Sequence, residues 1–245
     1  MSKKIALVTG GMGGIGTTIC QRLANDGMTV IAGCSMGRNY QEWLDEQKKL
    51  GFEFHAMPAD VTDWDSTQAA IEKITQEVGQ INILVNNAGI TRDTTFSRMS
   101  VEQWQEVINT NLNSLFYVTK QVIDQMADSG WGRIINIGSI NGQKGQFGQT
   151  NYSAAKAGMH GFTKALAQEY ARKGVTVNTV SPGYIGTDMV RAIREDVLEK
   201  IVATIPVRRL GEPEEIASII SWLASDESGF ATGADFSVNG GLHMY

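Results

Sequence analysis

The chain alternates short apolar runs with longer amphipathic segments, and few folds accept that order. Runs at 5–8, 29–34, 52–57, 81–85, 133–137, 175–180 and 235–238 read as strands. Helical periodicity covers about 15–26, 41–50, 66–78, 101–126, 152–172 and 213–224, with Gly27 and Gly51 as stops and Pro213 at a helix start. Strands separated by helices of ten or more residues pair in parallel through right-handed crossovers. The expectation is a single α/β domain over 1–245: a doubly wound, parallel seven-stranded sheet with helices on both faces. There is no Pro/Ser-rich linker, low-complexity tract or solenoid repeat to divide it.

Composition narrows what such a domain does. A chain of 245 residues buries a full core without disulfides or metals. Its cysteines, Cys20 and Cys34, have no metal-ligand spacing and fit a reducing cytoplasm. A net charge of −5 with no Lys/Arg cluster disfavours nucleic acid. The first apolar run stops at Thr9, short of a signal sequence, and no stretch is long enough for a membrane span. A soluble, unprocessed cytoplasmic protein is expected.

Directly after the first strand comes Thr9-Gly10-Gly11-Met12-Gly13-Gly14-Ile15-Gly16, which parses two ways. Gly11, Gly13 and Gly16 satisfy G-x-G-x-x-G; Gly10, Gly14 and Gly16 satisfy T-G-x-x-x-G-x-G. In either, glycines let the backbone approach a pyrophosphate, whose charge meets free N–H groups at the next helix's N-terminus. Such turns also arise for tight packing alone, but the place between first strand and helix favours a dinucleotide held by Gly10, Gly13, Gly14, Ile15 and Gly16.

At the end of the second strand an acid would grip the ribose 2′-hydroxyl of NAD. Here Cys34-Ser35-Met36-Gly37-Arg38-Asn39-Tyr40 holds none before Glu42. Ser35 and Arg38 suit a 2′-phosphate, so NADP(H) is expected, although Arg38 also reads as an ordinary solvated loop residue. Asp60, followed by Val61, would accept from the adenine amino group or cap the next helix. Asn86-Asn87-Ala88-Gly89, running on into Ile90, puts small residues where the sheet must admit a ligand.

The strongest chemical signal is Tyr152-Ser153-Ala154-Ala155-Lys156. At i and i+4 the phenol and ammonium share a helix face, and the charge favours the phenolate. Alone, such a pair is commonly just a surface pair. Ser139, where the fifth strand ends, places a hydroxyl at the carboxyl edge of the sheet or is simply a turn residue. Asn111, a weak helix former inside a helical stretch, would hold a water or back-bond to its helix.

The glycine turn, Asn-Asn-Ala-Gly, the helical Asn, the strand-end Ser and Y-x-x-x-K together resemble the short-chain dehydrogenase/reductase family across the whole chain. That resemblance implies a Rossmann fold and a tetrad of Asn111, Ser139, Tyr152 and Lys156, using NADPH/NADP+ and no metal. Tyr is then the general acid for carbonyl reduction, and Ser hydrogen-bonds the carbonyl oxygen. Lys binds the nicotinamide ribose and tunes the Tyr, while Asn positions a relay water. It implies cofactor contacts at Asp60, Val61, Asn87, Ala88, Gly89 and Ile90, and Pro182-Gly183-Tyr184-Ile185 with Thr187 matches the segment along the nicotinamide. His55, His160 and His243 receive no role.

Residues 89–93 are similar to reductases of 3-oxoacyl thioesters, and 141–152, 203–207 and 239–244 to those reducing acetoacetyl-CoA. The implied reaction is acetoacetyl-CoA to (R)-3-hydroxybutyryl-CoA for polyhydroxybutyrate synthesis, in a cytoplasmic homotetramer paired through the long helices. Asp93, Gln146, Phe147, Gly148, Gln149, Gly183 and Tyr184 would frame the acyl chain beside Ser139 and Tyr152, although Phe147 also reads as plain packing and the glutamines as loop polarity. A helix over 189–204, within a lid over about 188–212 and capped by Asp188, would cover it, with Arg194 meeting a CoA phosphate or solvated. A carrier-protein thioester reductase shares fold, tetrad and cofactor, but 128–131 lacks the basic patch an acidic carrier wants. A non-catalytic NADP(H)-binding regulator would lack Tyr152 or Lys156, and both are present.

Overall fold

The computed structural model describes residues 3–244. Seven parallel strands, β1 (Ile5–Val8), β2 (Thr29–Cys34), β3 (His55–Pro58), β4 (Ile83–Asn86), β5 (Gly132–Ile137), β6 (Val175–Pro182) and β7 (Asp235–Val238), form one sheet in the order β3-β2-β1-β4-β5-β6-β7. Strand residues alternate between its faces. Ala6, Val8, Val30, Ala32 and Ile135 pack in one core cluster. Leu7, Ile31, Leu84, Ile134 and Val177 pack in the other. Helix α1 (Gly14–Asn25) closes the first core with Ile19 and Leu23.

The second core is closed by α3 (Trp64–Val78) through Ile71 and Ile74. Between these, α2 (Tyr40–Lys49) buries Trp43 in the first core. Further on, α4 (Val101–Ile108) leads through a π-turn, Asn109–Asn113, into α5 (Ser114–Asp128), which adds Val118 and Val122 to the second core. The long helix expected over 101–126 is therefore two helices. A five-residue helix, α6 (Ile140–Lys144), precedes α7 (Thr150–Tyr170) and was not expected.

The stretch 189–204 is not one helix. It divides into α8 (Asp188–Arg191) and α9 (Glu195–Thr204), with Arg194 extended between them at ψ 133. The acids Glu195 and Asp196 open α9, as the helix dipole favours. Asp188 does not cap: Thr187 holds the cap position, without a side-chain bond, and Asp188 is the first helical residue. Asp60 does not cap α3 either. Asp63 does, accepting from Ser66 N at 2.7 Å, while Asp60 Oδ1 takes the Thr62 amide and hydroxyl. Finally α10 (Pro213–Leu223) returns Ile216 and Ile220 to the first core.

The third strand is shorter than expected. Phe52 and Phe54 stack on each other, and Phe54 on Trp43, instead of joining the sheet. Strand order reverses between β1 and β4, so a crevice opens there at the carboxyl ends, the usual place for a ligand in this topology.

Candidate active site

A cleft of about 1030 Å³ occupies that crevice. At its floor Gly10 takes φ +61, and a Cβ there would come 3.1 Å from Ala88 Cα. A Cβ on Gly16 would meet the Gly10 carbonyl and, at 2.8 Å, Asn87 Nδ2. Gly14 faces Thr187 Cγ2 at 3.1 Å, whereas a Cβ on Gly13 would meet only the Gly10 carbonyl, at an ordinary 3.8 Å. The T-G-x-x-x-G-x-G parse is thus the one in which every glycine is crowded, although Gly11 of the other parse is crowded too, a Cβ there lying 2.8 Å from the Val8 carbonyl.

Asn87 locks this turn to β4. Its Nδ2 donates to the carbonyls of Thr9 and Gly10 at 3.0 Å each, and the amides of Asn87 and Ala88 both donate to Thr9 Oγ1. The first turn of α1 carries no acid and no side-chain cap, leaving its N–H groups to an anion. A side-chain-free cradle, open helix amides and a cleft of this size fit a dinucleotide. Gly10, Gly13, Gly14, Ile15, Gly16, Ser35, Arg38, Asp60, Val61, Asn87, Ala88, Gly89 and Ile90 all line the cleft. So do Pro182, Gly183, Ile185 and Thr187 from the far side. Arg38 and Ser35 stand exposed at one mouth.

Ser139, Tyr152 and Lys156 meet on one wall. Ser139 stands two residues past β5 and caps α6, its Oγ accepting from Asn141 N at 3.1 Å, so its hydroxyl proton stays free to be donated. Tyr152 and Lys156 stand one turn apart on α7, with Nζ 5.6 Å from the phenol ring's centre. Nζ donates to the Ile137 carbonyl at 2.6 Å. Burial pulls the Lys156 ammonium down to about 8. The Tyr152 phenol goes up, not down: burial raises it, the Ser139 hydrogen bond works against that, and the Asp93 carboxylate adds to the rise.

Asn111 does not turn its side chain back onto its own helix. It is fully buried in the π-turn and clamps the Ile90 backbone, accepting from Ile90 N and donating to Ile90 O, both at 2.8 Å. A Cβ on Gly89 would lie 3.3 Å from Asn111 Oδ1 and 3.8 Å from Lys156 Nζ, so all three converge. π-Turns of this kind cluster at functional sites.

The expected acyl-chain wall divides. Ser139, Gln149, Tyr152, Gly183 and Tyr184 line the cleft. Asp93 stands behind Gln149, which donates to it at 2.7 Å. Gln146 pairs with Lys144, Phe147 is 87% exposed, Gly148 lies against Thr94, and Arg194 forks the Asp196 carboxylate. These five lie outside the lining. Unforeseen lining residues include Met12, Cys34, Met36, Thr91, Thr110 and Asn141. Asn141 alone carries a readable signal, standing two residues after the strand-end serine.

The family model described as short chain dehydrogenase matches residues 4–198. The chain is 70% identical, over the full length of both, to a protein of Cupriavidus necator named acetoacetyl-CoA reductase. It is 58% identical, over 99% of each, to nodulation protein G of Azospirillum brasilense. Identity is 46%, over 98% of each, to a 3-oxoacyl-acyl-carrier-protein reductase of Pseudomonas aeruginosa.

Proposed function

This chain belongs to the short-chain dehydrogenase family, and from that premise we propose that it reduces acetoacetyl-CoA to (R)-3-hydroxybutyryl-CoA with NADPH, supplying polyhydroxybutyrate synthesis. The observation that carries this is the meeting of Ser139, Tyr152 and Lys156 on the wall of a cleft whose floor is a glycine cradle. Greater identity to the acetoacetyl-CoA reductase of C. necator than to the carrier-protein reductase of P. aeruginosa supports the CoA ester.

Bound NADPH supplies the hydride. Charge then grows on the substrate's C3 oxygen, where the hydroxyls of Ser139 and Tyr152 act as preplaced donors. Tyr152 delivers the proton that completes the alcohol, and its raised pKa keeps it protonated at neutral pH until that moment. Lys156, anchored on the Ile137 carbonyl, holds a positive charge beside the phenol and offers its remaining hydrogens to the ribose. Asn111 keeps the Ile90 loop in place at the nicotinamide end.

Arg38 and the absence of an acid at the β2 end support NADP(H). A homotetramer is supported by exposed Phe116 on α5, stacked on Trp64 and edge-on to Tyr117. No helix among the described residues is long and apolar enough to cross a membrane, which agrees with a cytoplasmic enzyme. The test follows NADPH absorbance with acetoacetyl-CoA, with NADH and an acetoacetyl carrier-protein thioester alongside. Tyr152→Phe should lose about 10²–10⁴-fold in kcat while still binding NADPH. Preference for the carrier thioester would overturn the substrate, and an undiminished Tyr152→Phe would overturn the mechanism.

A further inference from the structure

Asp93 lies outside the cleft wall, yet a chain of hydrogen bonds runs from it to the wall. Gln149 Nε2 donates to Asp93 Oδ2 at 2.7 Å, and Asn141 Nδ2 donates to Gln149 Oε1 at 2.9 Å. Gln149 and Asn141 both line the cleft beside Ser139. The backbone on either side of Asp93 is pinned to the start of α7: Thr94 N donates to the Gly148 carbonyl at 2.9 Å, and Asn151 Nδ2 to the Arg92 carbonyl at 3.3 Å. The carboxylate is therefore held where it reaches Gln149.

A primary amide presents a carbonyl on one side and an NH₂ on the other, and two amides in series satisfy each other equally well in either direction. An ionised carboxylate removes that freedom, because it accepts and never donates. Gln149 must turn its NH₂ to Asp93, and Asn141 must then turn its NH₂ to Gln149. At the far end Asn141 Oδ1 is buried and has no partner among the described residues, so nothing there opposes reversal. The direction of the chain is set at Asp93 alone. Among the described residues the second hydrogen on Gln149 Nε2 meets no acceptor.

We propose that Asp93 is a positioning residue that never touches substrate: it fixes the Gln149 amide so that the cleft is offered an N–H donor for the thioester carbonyl. The inference rests on the acetoacetyl-CoA reading above. The acyl end of a 3-oxoacyl thioester presents two carbonyl oxygens and no donor. Ser139 and Tyr152 take the C3 oxygen, so the C1 oxygen needs a donor of its own. A reversed Gln149 would face it with a second carbonyl and repel it.

The test compares acetoacetyl-CoA with its thioether analogue, S-(3-oxobutyl)-CoA, which keeps the ketone and lacks the C1 carbonyl. Asp93→Asn frees the chain to reverse. It should raise KM for acetoacetyl-CoA by about tenfold, leave kcat within about threefold, and leave KM for the thioether and the Kd of NADPH unchanged. A residue that merely supported the loop would damage both substrates alike, and that result would overturn the proposal. The double variant Asp93→Asn/Gln149→Glu restores the direction at Asn141 but has no N–H for the cleft, so it should remain as poor on acetoacetyl-CoA as the single variant. Recovery in the double variant would also overturn it. Wild-type turnover is the control: its absence counts against the reaction itself, not against the role of Asp93.

Discussion

Lys156 shows how much residue spacing reveals and what it leaves hidden. Four residues after Tyr152 on one helix, its proximity to the phenol was legible in the sequence. Its burial was not, because that comes from β5 and α6 closing over α7. A Cβ on Gly142 would already be 2.8 Å from the Lys156 Cβ. Burial reverses the simple expectation for the pair, lowering the ammonium to about 8 and raising the phenol. The consequence is a pH signature in stability. Below pH 8 the lysine is charged in both folded and unfolded chains, and the whole burial penalty stands. Between 8 and 10.5 the unfolded chain keeps a proton the folded chain has shed, so stability rises with pH. Lys156→Met removes that rise. Melting of both proteins from pH 7 to 10.5 should show the wild type gaining on the variant by about 3 kcal/mol. A gap that stays constant with pH would remove burial as the cause.

At the scale of elements, periodicity finds helices but not the interruptions that make them useful. Residues 101–126 keep a helical pattern through the π-turn, since one extra residue per turn hardly disturbs it, and only Asn111 marked the place. The break before α9 was hidden in the same way, although Glu195 and Asp196 are the acids a helix start attracts. Short α6 was illegible because five residues hold too little pattern, yet it supports the Lys156 turn. A Cβ on Gly142 would press on both the Lys156 carbonyl carbon and its Cβ at 2.8 Å. Gly142→Ala, favourable for an isolated helix, must therefore push α6 from α7. We expect stability to fall by about 1–3 kcal/mol and kcat by at least about tenfold, since small displacements of catalytic groups are costly. Denaturant unfolding and initial rates measure the two, and an unchanged kcat would mean that α6 does not set the lysine.

Over the whole molecule, the alternation of apolar runs and helices was enough to foresee one parallel sheet with its ligand site at the carboxyl edge. Which side chains would face the cleft from loops was less legible: Phe147 and Arg194 read as wall and lid, but Phe147 stands exposed and Arg194 pairs with Asp196. The cleft takes Gly10, Arg38 and Asp60 from the β1–β3 half, and Ser139, Tyr152 and Pro182 from the β4–β6 half. A ligand spanning it bridges the two halves and binds only the folded chain, so binding becomes stability. NADPH at about a hundred times its Kd should add about 2.7 kcal/mol, which for a chain of this length raises Tm by roughly 5–10 °C. NADH at the same concentration should raise it less, because the exposed Arg38 finds no 2′-phosphate to pair with. Arg38→Ala should draw the NADPH shift down towards the NADH shift and change the latter less, since only NADPH brings a 2′-phosphate for Arg38 to pair with. Thermal melts of both proteins with each nucleotide measure this directly. Equal shifts in the wild type would mean that the missing acid after β2 does not select NADP(H), and that the cleft discriminates elsewhere or not at all.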